Sequence, residues 1–178
     1  MQESQYLSVC VLGDYSTEFL KEFSQALSQH ECQTLTSHAI QHGTLLNASF
    51  LISASWDVLS KLETKFKALT KKFSYEIMLK RTNSLSFEKP KFSYFIYVIC
   101  VEDPQAFYQL MRYLHQQQVE VIECSLETCK TRSTQTSMTN FTIHIRLPAE
   151  IVISEWRERF TLFCDDMNFD AVMEPEKG

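Results

Sequence analysis

Two short stretches of the sequence combine residue types that could form a small polar binding site. In each stretch an apolar, strand-like run ends near an aspartate, Asp14 or Asp103, and an amphipathic helical pattern follows. A helix amino terminus has unpaired N–H groups and partial positive charge, which favour a bound anion. Gly13 has no Cβ, so a ligand could approach its backbone closely. The alternative for both aspartates is a helix cap, worth about 0.5–2 kcal/mol.

His38 and His42 are spaced for a metal site only if the chain around them is helical. Residues at i and i+4 share one face of a helix and could bind one ion together. On a strand the two would lie about 13 Å apart, too far to share an ion. The surrounding sequence, CQTLTSHAI, is typical of a strand, so we expect no metal site.

The glycine and cysteine content argues against an enzyme. The only glycines are Gly13, Gly43 and Gly178, so no glycine-rich loop can cradle a phosphate, and the HExxH and GxSxG motifs are missing. The closest cysteines, Cys124 and Cys129, lack CxxC spacing, which favours reduced thiols that pack over the alternative of a redox pair. A cysteine nucleophile with a distant histidine is the catalytic alternative left open. No cofactor is expected.

The net charge of −5 is unevenly distributed, because residues 84–178 carry nine basic and fourteen acidic side chains. Nucleic-acid binding draws most of its affinity from Lys and Arg that neutralise phosphates, so this chain is a poor candidate for direct DNA binding. Any role in transcription would pass through a protein partner. With no apolar run of roughly 20 residues and no leader pattern, we expect a cytoplasmic protein without membrane contact.

One basic cluster lies in a helical pattern over residues 55–73 and allows two interpretations. The first is a solvated helix face, with Glu63 and Lys67 paired at i and i+4. The second is a docking face for an acidic protein partner, with Lys61 and Lys65 as contacts. The cluster consists of Lys61, Lys65, Lys67, Lys71 and Lys72.

The elements that would position these residues form one pattern that occurs twice. Residues 5–12 predict a strand, an amphipathic helix follows Asp14, and two strand-like runs meet at Gly43, which can adopt a positive φ. A second helix begins after Ser55, and a final strand, FSYEIMLK, completes βαββαβ. The second helix is predicted to bury Leu59, Leu62, Phe66 and Leu69.

The second half repeats the order, with a strand at FSYFIYVICV and a helix predicted to start at Asp103 and Pro104. The expected buried stripes of its two helices are Phe107, Leu110, Met111 and Leu114, then Ile153, Trp156, Phe160, Phe163 and Met167. The sequence thus predicts an α+β protein of two ferredoxin-like βαββαβ domains, residues 1–82 and 92–178, with a linker at 83–91. Right-handed crossovers give four antiparallel strands in the order 2-3-1-4, with two helices on one face. Exposed edge strands make a homodimer an open alternative.

The tandem pattern, together with SASWDVLSKLETKFKALTKKFSYEIMLKRT at 53–82, resembles the glycine cleavage system transcriptional repressor family, which is built from two ACT domains. The resemblance implies a regulator that binds a DNA-binding transcriptional activator, is modulated by glycine or another amino acid, and does not touch DNA. The alternative is an ACT-type amino-acid-binding protein that regulates a metabolic enzyme.

ACT domains hold amino acids where the first strand turns into the first helix, with a polar residue at the start of the second strand. The positions that match are Gly13, Asp14, Ser16 and Gln33 in the first half, and Asp103 and Glu120 in the second. Neither turn has the family's proline-glycine pair, and Glu120 would repel a carboxylate but could hold an ammonium group. We therefore expect any amino acid to bind weakly, in the first half.

Overall fold

The computed structural model describes residues 5–83, 91–131 and 135–176. The chain divides into two compact units, Met1–Ser86 and Phe87–Gly178, which we call the first and second domains. Most of the predicted linker, residues 84–90, lies outside the described residues. None of the helices in the described ranges is both long enough and apolar enough to span a bilayer.

The first domain has the predicted order βαββαβ. Its strands form one antiparallel sheet in the order β2-β3-β1-β4, which confirms the predicted topology. Gly43 has φ +62° in the β2–β3 turn, the positive value that the hairpin requires. The elements are β1 Gln5–Asp14, α1 Thr17–Ser28, β2 Gln33–His42, β3 Leu45–Ala54, α2 Trp56–Phe73 and β4 Glu76–Thr82.

The second domain repeats this fold. Its four antiparallel strands have the order β6-β7-β5-β8, which matches the first domain strand for strand. Leu12 of β1 pairs with Asn47 of β3, and Ile99 of β5 pairs with Asn140 of β7, so Leu12 and Ile99 are equivalent. The elements are β5 Lys91–Val101, α3 Ala106–Gln116, β6 Glu120–Lys130, β7 Ser137–Pro148, α4 Ile153–Asp166 and β8 Asp170–Pro175.

Each domain has its own core between the helices and one face of the sheet. Alternate residues of the central strands point into it, as the period of a half-buried strand requires. The predicted stripe of α2 is confirmed, since all four of its apolar residues are buried. The largest fully buried side chains include Phe19, Phe23, Phe66, Phe141 and Trp156.

One predicted core residue of α3 is exposed. Phe107 is 46% exposed, whereas Ala106, Leu110 and Leu114 are buried, so the prediction for Phe107 was wrong. The helix begins at Ala106 and not at Pro104, and the small Ala106 faces the sheet in place of Phe107. The Phe107 ring instead lies parallel to that of Phe141, with the centroids 6.3 Å apart.

Candidate functional site

In the first domain, the helix after β1 is capped by Ser16 and not by Asp14. β1 continues through Asp14, which pairs with Leu45, and Ser16 Oγ accepts a hydrogen bond from Phe19 N at 3.2 Å. Asp14 still pairs with β3 and lies two residues before Ser16, so its carboxylate does not cap α1. The predicted cap at Asp14 is therefore wrong, whereas the predicted cap of α2, Ser55, is confirmed.

Gly13 makes room for an aromatic ring. A Cβ added at Gly13 would lie 2.5 Å from a ring carbon of Tyr75, which is 3% exposed and stacks on Phe19 at a centroid distance of 3.8 Å. The Tyr75 hydroxyl donates a hydrogen bond to the carbonyl oxygen of Asp14. Burial raises the pKa of Tyr75, and the Asp14 carboxylate raises it further. The side of Gly13 that a ligand could approach is thus covered by Tyr75, a residue that the sequence analysis did not single out.

The structure does not bring Gln33 to this corner. Gln33 pairs with Ser53, whereas Asp14 pairs with Leu45 at the other end of β3. At about 3.3 Å per residue the two positions are roughly 26 Å apart. Gln33 therefore cannot share a site with Asp14 within the first domain.

The corner of the second domain corresponds to that of the first, but Asp103 does not occupy the position of Asp14. Tyr15 N donates to Thr44 O at 2.8 Å, and Glu102 N donates to Ser137 O at 2.9 Å in the corresponding place. Counting from these bonds, Asp103 occupies the position of Ser16 and Val101 that of Asp14. The correspondence of the two aspartates expected from the sequence is thus off by two residues.

Asp103 stabilises the turn before α3. Its Oδ1 accepts a hydrogen bond from Gln105 N at 2.9 Å, which is an Asx turn. Gln105 is the N-cap of α3 and makes no capping bond with its side chain. Glu120 pairs with Arg146 at the far end of the sheet, so it lies at the position of Gln33 and away from Asp103.

A cleft of about 280 Å³ opens beside Asp103. It lies between the start of α3 and the helix-facing side of β6 and β7. Ten of the eleven residues of β6 are exposed. The lining includes Glu102, Asp103, Phe107, Thr128, Thr139 and Phe141.

The lining of the cleft combines charge, hydroxyl groups and aromatic rings. Thr139 is 5% exposed, and its Oγ1 lies 3.4 Å from Oγ1 of Thr128. Glu102 and Asp103 line the cleft together with the start of α3, so their negative charges lie near the partial positive charge of the helix amino terminus. Such a lining suits a small zwitterion with an apolar part.

Two thiols of the second domain are held in their protonated form. Burial raises the pKa of the neighbouring Cys100 thiol, and the Asp103 carboxylate raises it further, so this thiol is protonated at neutral pH. Burial likewise raises the pKa of Cys164, to about 12. All six cysteines are free, and the described residues contain no group of three or more potential metal ligands.

The lysines of α2 lie on its exposed face. The expected pair of Glu63 with Lys67 is wrong: Glu63 Oε1 instead accepts a hydrogen bond from Arg81 Nε of β4 at 2.6 Å. Lys72 pairs with Glu22 of α1. Lys61 and Lys65 lie one turn apart on this face. Both interpretations of the cluster, a solvated face and a docking face, expect them there.

Residues 5–80 match the family model of the ACT domain. The first domain is thus similar to ACT domains. Its match ends within β4, at the boundary of the βαββαβ unit described above. The second domain has the same strand order, so the chain has the fold of two ACT-type domains in tandem, as the sequence predicted.

Two solved structures share this fold over their full length. One is a putative glycine cleavage system transcriptional repressor, 18% identical, with a TM-score of 0.71 over 98% of this chain and 99% of that one. The other is a protein of unknown function from Galdieria sulphuraria, 17% identical, with a TM-score of 0.74 over 98% and 100%. At these identities the likeness shows the fold of both ACT-type domains together. No curated protein sequence matches the chain.

Proposed function

We propose that this tandem ACT-type protein is a non-enzymatic regulator that binds a DNA-binding transcriptional activator, as the glycine cleavage repressor family is understood to do. The observation that carries the proposal is the fold match to a repressor of that name over nearly all of both chains. The acidic charge of the second half supports contact with a protein and not with DNA. ACT domains serve regulation, and no group in the cleft is arranged as a nucleophile with a base.

We further propose that an amino acid modulates this activity by binding in the cleft of the second domain. This placement differs from the sequence expectation, which favoured the first domain, because Tyr75 covers Gly13 there. The carboxylates of Glu102 and Asp103 suit the ammonium group of the ligand. The partial positive charge at the amino terminus of α3 suits its carboxylate. An apolar side chain would then contact Phe107 and Phe141.

Calorimetric titration of the full chain tests the amino-acid site. We expect heat with glycine or a larger apolar amino acid at millimolar concentration, and loss of that heat in Asp103→Ala and in Thr128→Val. Asp14→Ala is the matched control, because it removes a carboxylate from the closed corner, and it should leave binding unchanged. If the binding heat is lost in Asp14→Ala but kept in Asp103→Ala, the site lies in the first domain and the proposed placement is wrong. No heat with any amino acid would leave a module that only binds proteins.

Affinity capture with the full chain tests the partner. We expect a DNA-binding activator of glycine cleavage genes to bind the purified chain directly and to activate a reporter gene less in its presence. The ACT family match also suits a protein that regulates a metabolic enzyme, the alternative function. Direct binding to such an enzyme, without binding to the activator, would favour this alternative.

A further inference from the structure

The second domain has an apolar surface on the side of its sheet that faces away from the helices. Along β5 the residues alternate, with Ile96, Val98 and Cys100 in the core. Between them, Tyr97 is 39% exposed and Ile99 is 45% exposed on the opposite side. Val101 and Val172 extend this strip and are 60% and 53% exposed. We call this side of the sheet the open face of the second domain.

Carboxylates lie at both edges of the open face. In an antiparallel sheet, residues paired across strands point to the same side, so the register defines rows across it. One row runs from β6 to β8 through Glu127, Asn140, Ile99 and Asp170. A second row, four residues along, runs through Glu123, His144, Phe95 and Glu174. In both rows an apolar residue of β5 lies between acidic residues of the two edge strands.

The first domain lacks this pattern in the same rows. Its first row is Ile40, Asn47, Leu12 and Glu76, and its second is Thr36, Leu51, Ser8 and Lys80. These rows carry one carboxylate and one ammonium group in place of four carboxylates. The acidic edges are thus a property of the second domain and not of the fold.

We propose that the open face of the second domain binds an amphipathic helix whose apolar stripe is flanked by Lys and Arg. Four strands span roughly 14 Å, which accommodates one helix of about 10–12 Å diameter. The apolar stripe would cover Tyr97 and Ile99, while flanking cations reach Glu127 and Asp170. A second copy of this face is a poor occupant, because carboxylates would meet carboxylates. The inference rests on the proposed function, since it names the surface with which such a regulator would hold its protein partner.

Fluorescence anisotropy with a labelled helical peptide tests the surface directly. The probe is a peptide of roughly 18 residues, about 27 Å as a helix, with a leucine stripe flanked by lysines. A version with glutamates in place of the lysines is its control. We expect the full chain to bind the lysine peptide only, and more weakly as salt concentration rises.

Equivalent positions in the two domains provide matched variants. Ile99→Asn should weaken binding roughly tenfold, whereas Leu12→Asn, at an equally exposed site, should leave it within about twofold. Asp170→Lys should weaken binding roughly fivefold and Glu76→Lys, with the same change of charge, much less. The emission of Trp156, which is buried, reports that the second domain stays folded in each variant.

Three results would overturn the inference. They are no binding of the lysine peptide, equal losses in the matched variants, and a dimer in sedimentation that Ile99→Asn abolishes. The assay contains neither activator nor amino acid. Peptide binding with the expected losses, but no binding to any DNA-binding activator, would therefore support the inferred binding surface and contradict the proposed function.

Discussion

Gly13 and Tyr75 decide whether a ligand can reach the corner of the first domain. Tyr75 lies 61 residues after Asp14, the neighbour of Gly13. Gly13 ends the core-facing run of β1, and the Tyr75 ring lies against its backbone while its hydroxyl bonds to Asp14. In the second domain the equivalent residues are Cys100 and Phe169, both buried. Cys100 and Phe169 belong to the same core, so a side chain stands at the position of Gly13 where phenylalanine replaces Tyr75.

Gly13→Ala should lower the free energy of unfolding of the first domain by about 1–3 kcal/mol, because its Cβ would overlap the ring of Tyr75. Urea unfolding followed by circular dichroism measures the loss. Tyr75→Leu should reduce the additional cost of Gly13→Ala. Gly43→Ala is the control: it costs about 1–2 kcal/mol through its positive φ and has no neighbour within 4 Å. Strictly additive effects of Gly13→Ala and Tyr75→Leu would contradict the contact.

At the scale of elements, the residue that starts a helix depends on where the preceding strand stops. The sequence correctly placed Ser55 before α2, because the strand before it ends at Ala54. It placed the start of α1 too early, since hydrogen bonding to β3 extends β1 through Asp14. A polar residue after an apolar run predicts that a helix begins, but the ladder with a distant strand decides which residue caps it.

Ser16→Ala should cost the first domain about 1 kcal/mol, the usual value of a lost N-cap. Asp14→Ala should cost less than about 0.5 kcal/mol, because the exposed Asp14 side chain caps nothing. Thermal unfolding of both variants, with the native chain alongside, measures the difference. A larger loss in Asp14→Ala than in Ser16→Ala would assign the cap to Asp14 after all.

At the scale of the whole molecule, two separate cores and two tryptophans allow each domain to be followed by itself. Trp156 is fully buried in the core of the second domain, whereas Trp56 of the first is 60% exposed. Unfolding exposes Trp156 to water and changes little around Trp56. Tryptophan emission therefore reports the second domain, while circular dichroism reports both.

Leu110→Ala should lower the urea midpoint of the tryptophan transition, since removing a buried leucine costs about 2–5 kcal/mol. Leu62→Ala, which removes a leucine buried to the same extent in the first core, should lower the midpoint of part of the circular dichroism transition and leave the tryptophan midpoint unchanged. A tryptophan midpoint that moves equally in both variants would mean that the domains unfold as one unit.

The sequence by itself determined the duplicated βαββαβ order, the order of strands in each sheet and most of the buried stripes. These follow from local periodicity and from the handedness of crossovers, which neighbouring residues carry. Only the tertiary structure decided which corner is open, because Tyr75 reaches Gly13 from a distant part of the chain. It also separated Gln33 from Asp14 and aligned Asp103 with Ser16, since pairing across strands sets register and no single stretch of sequence encodes it.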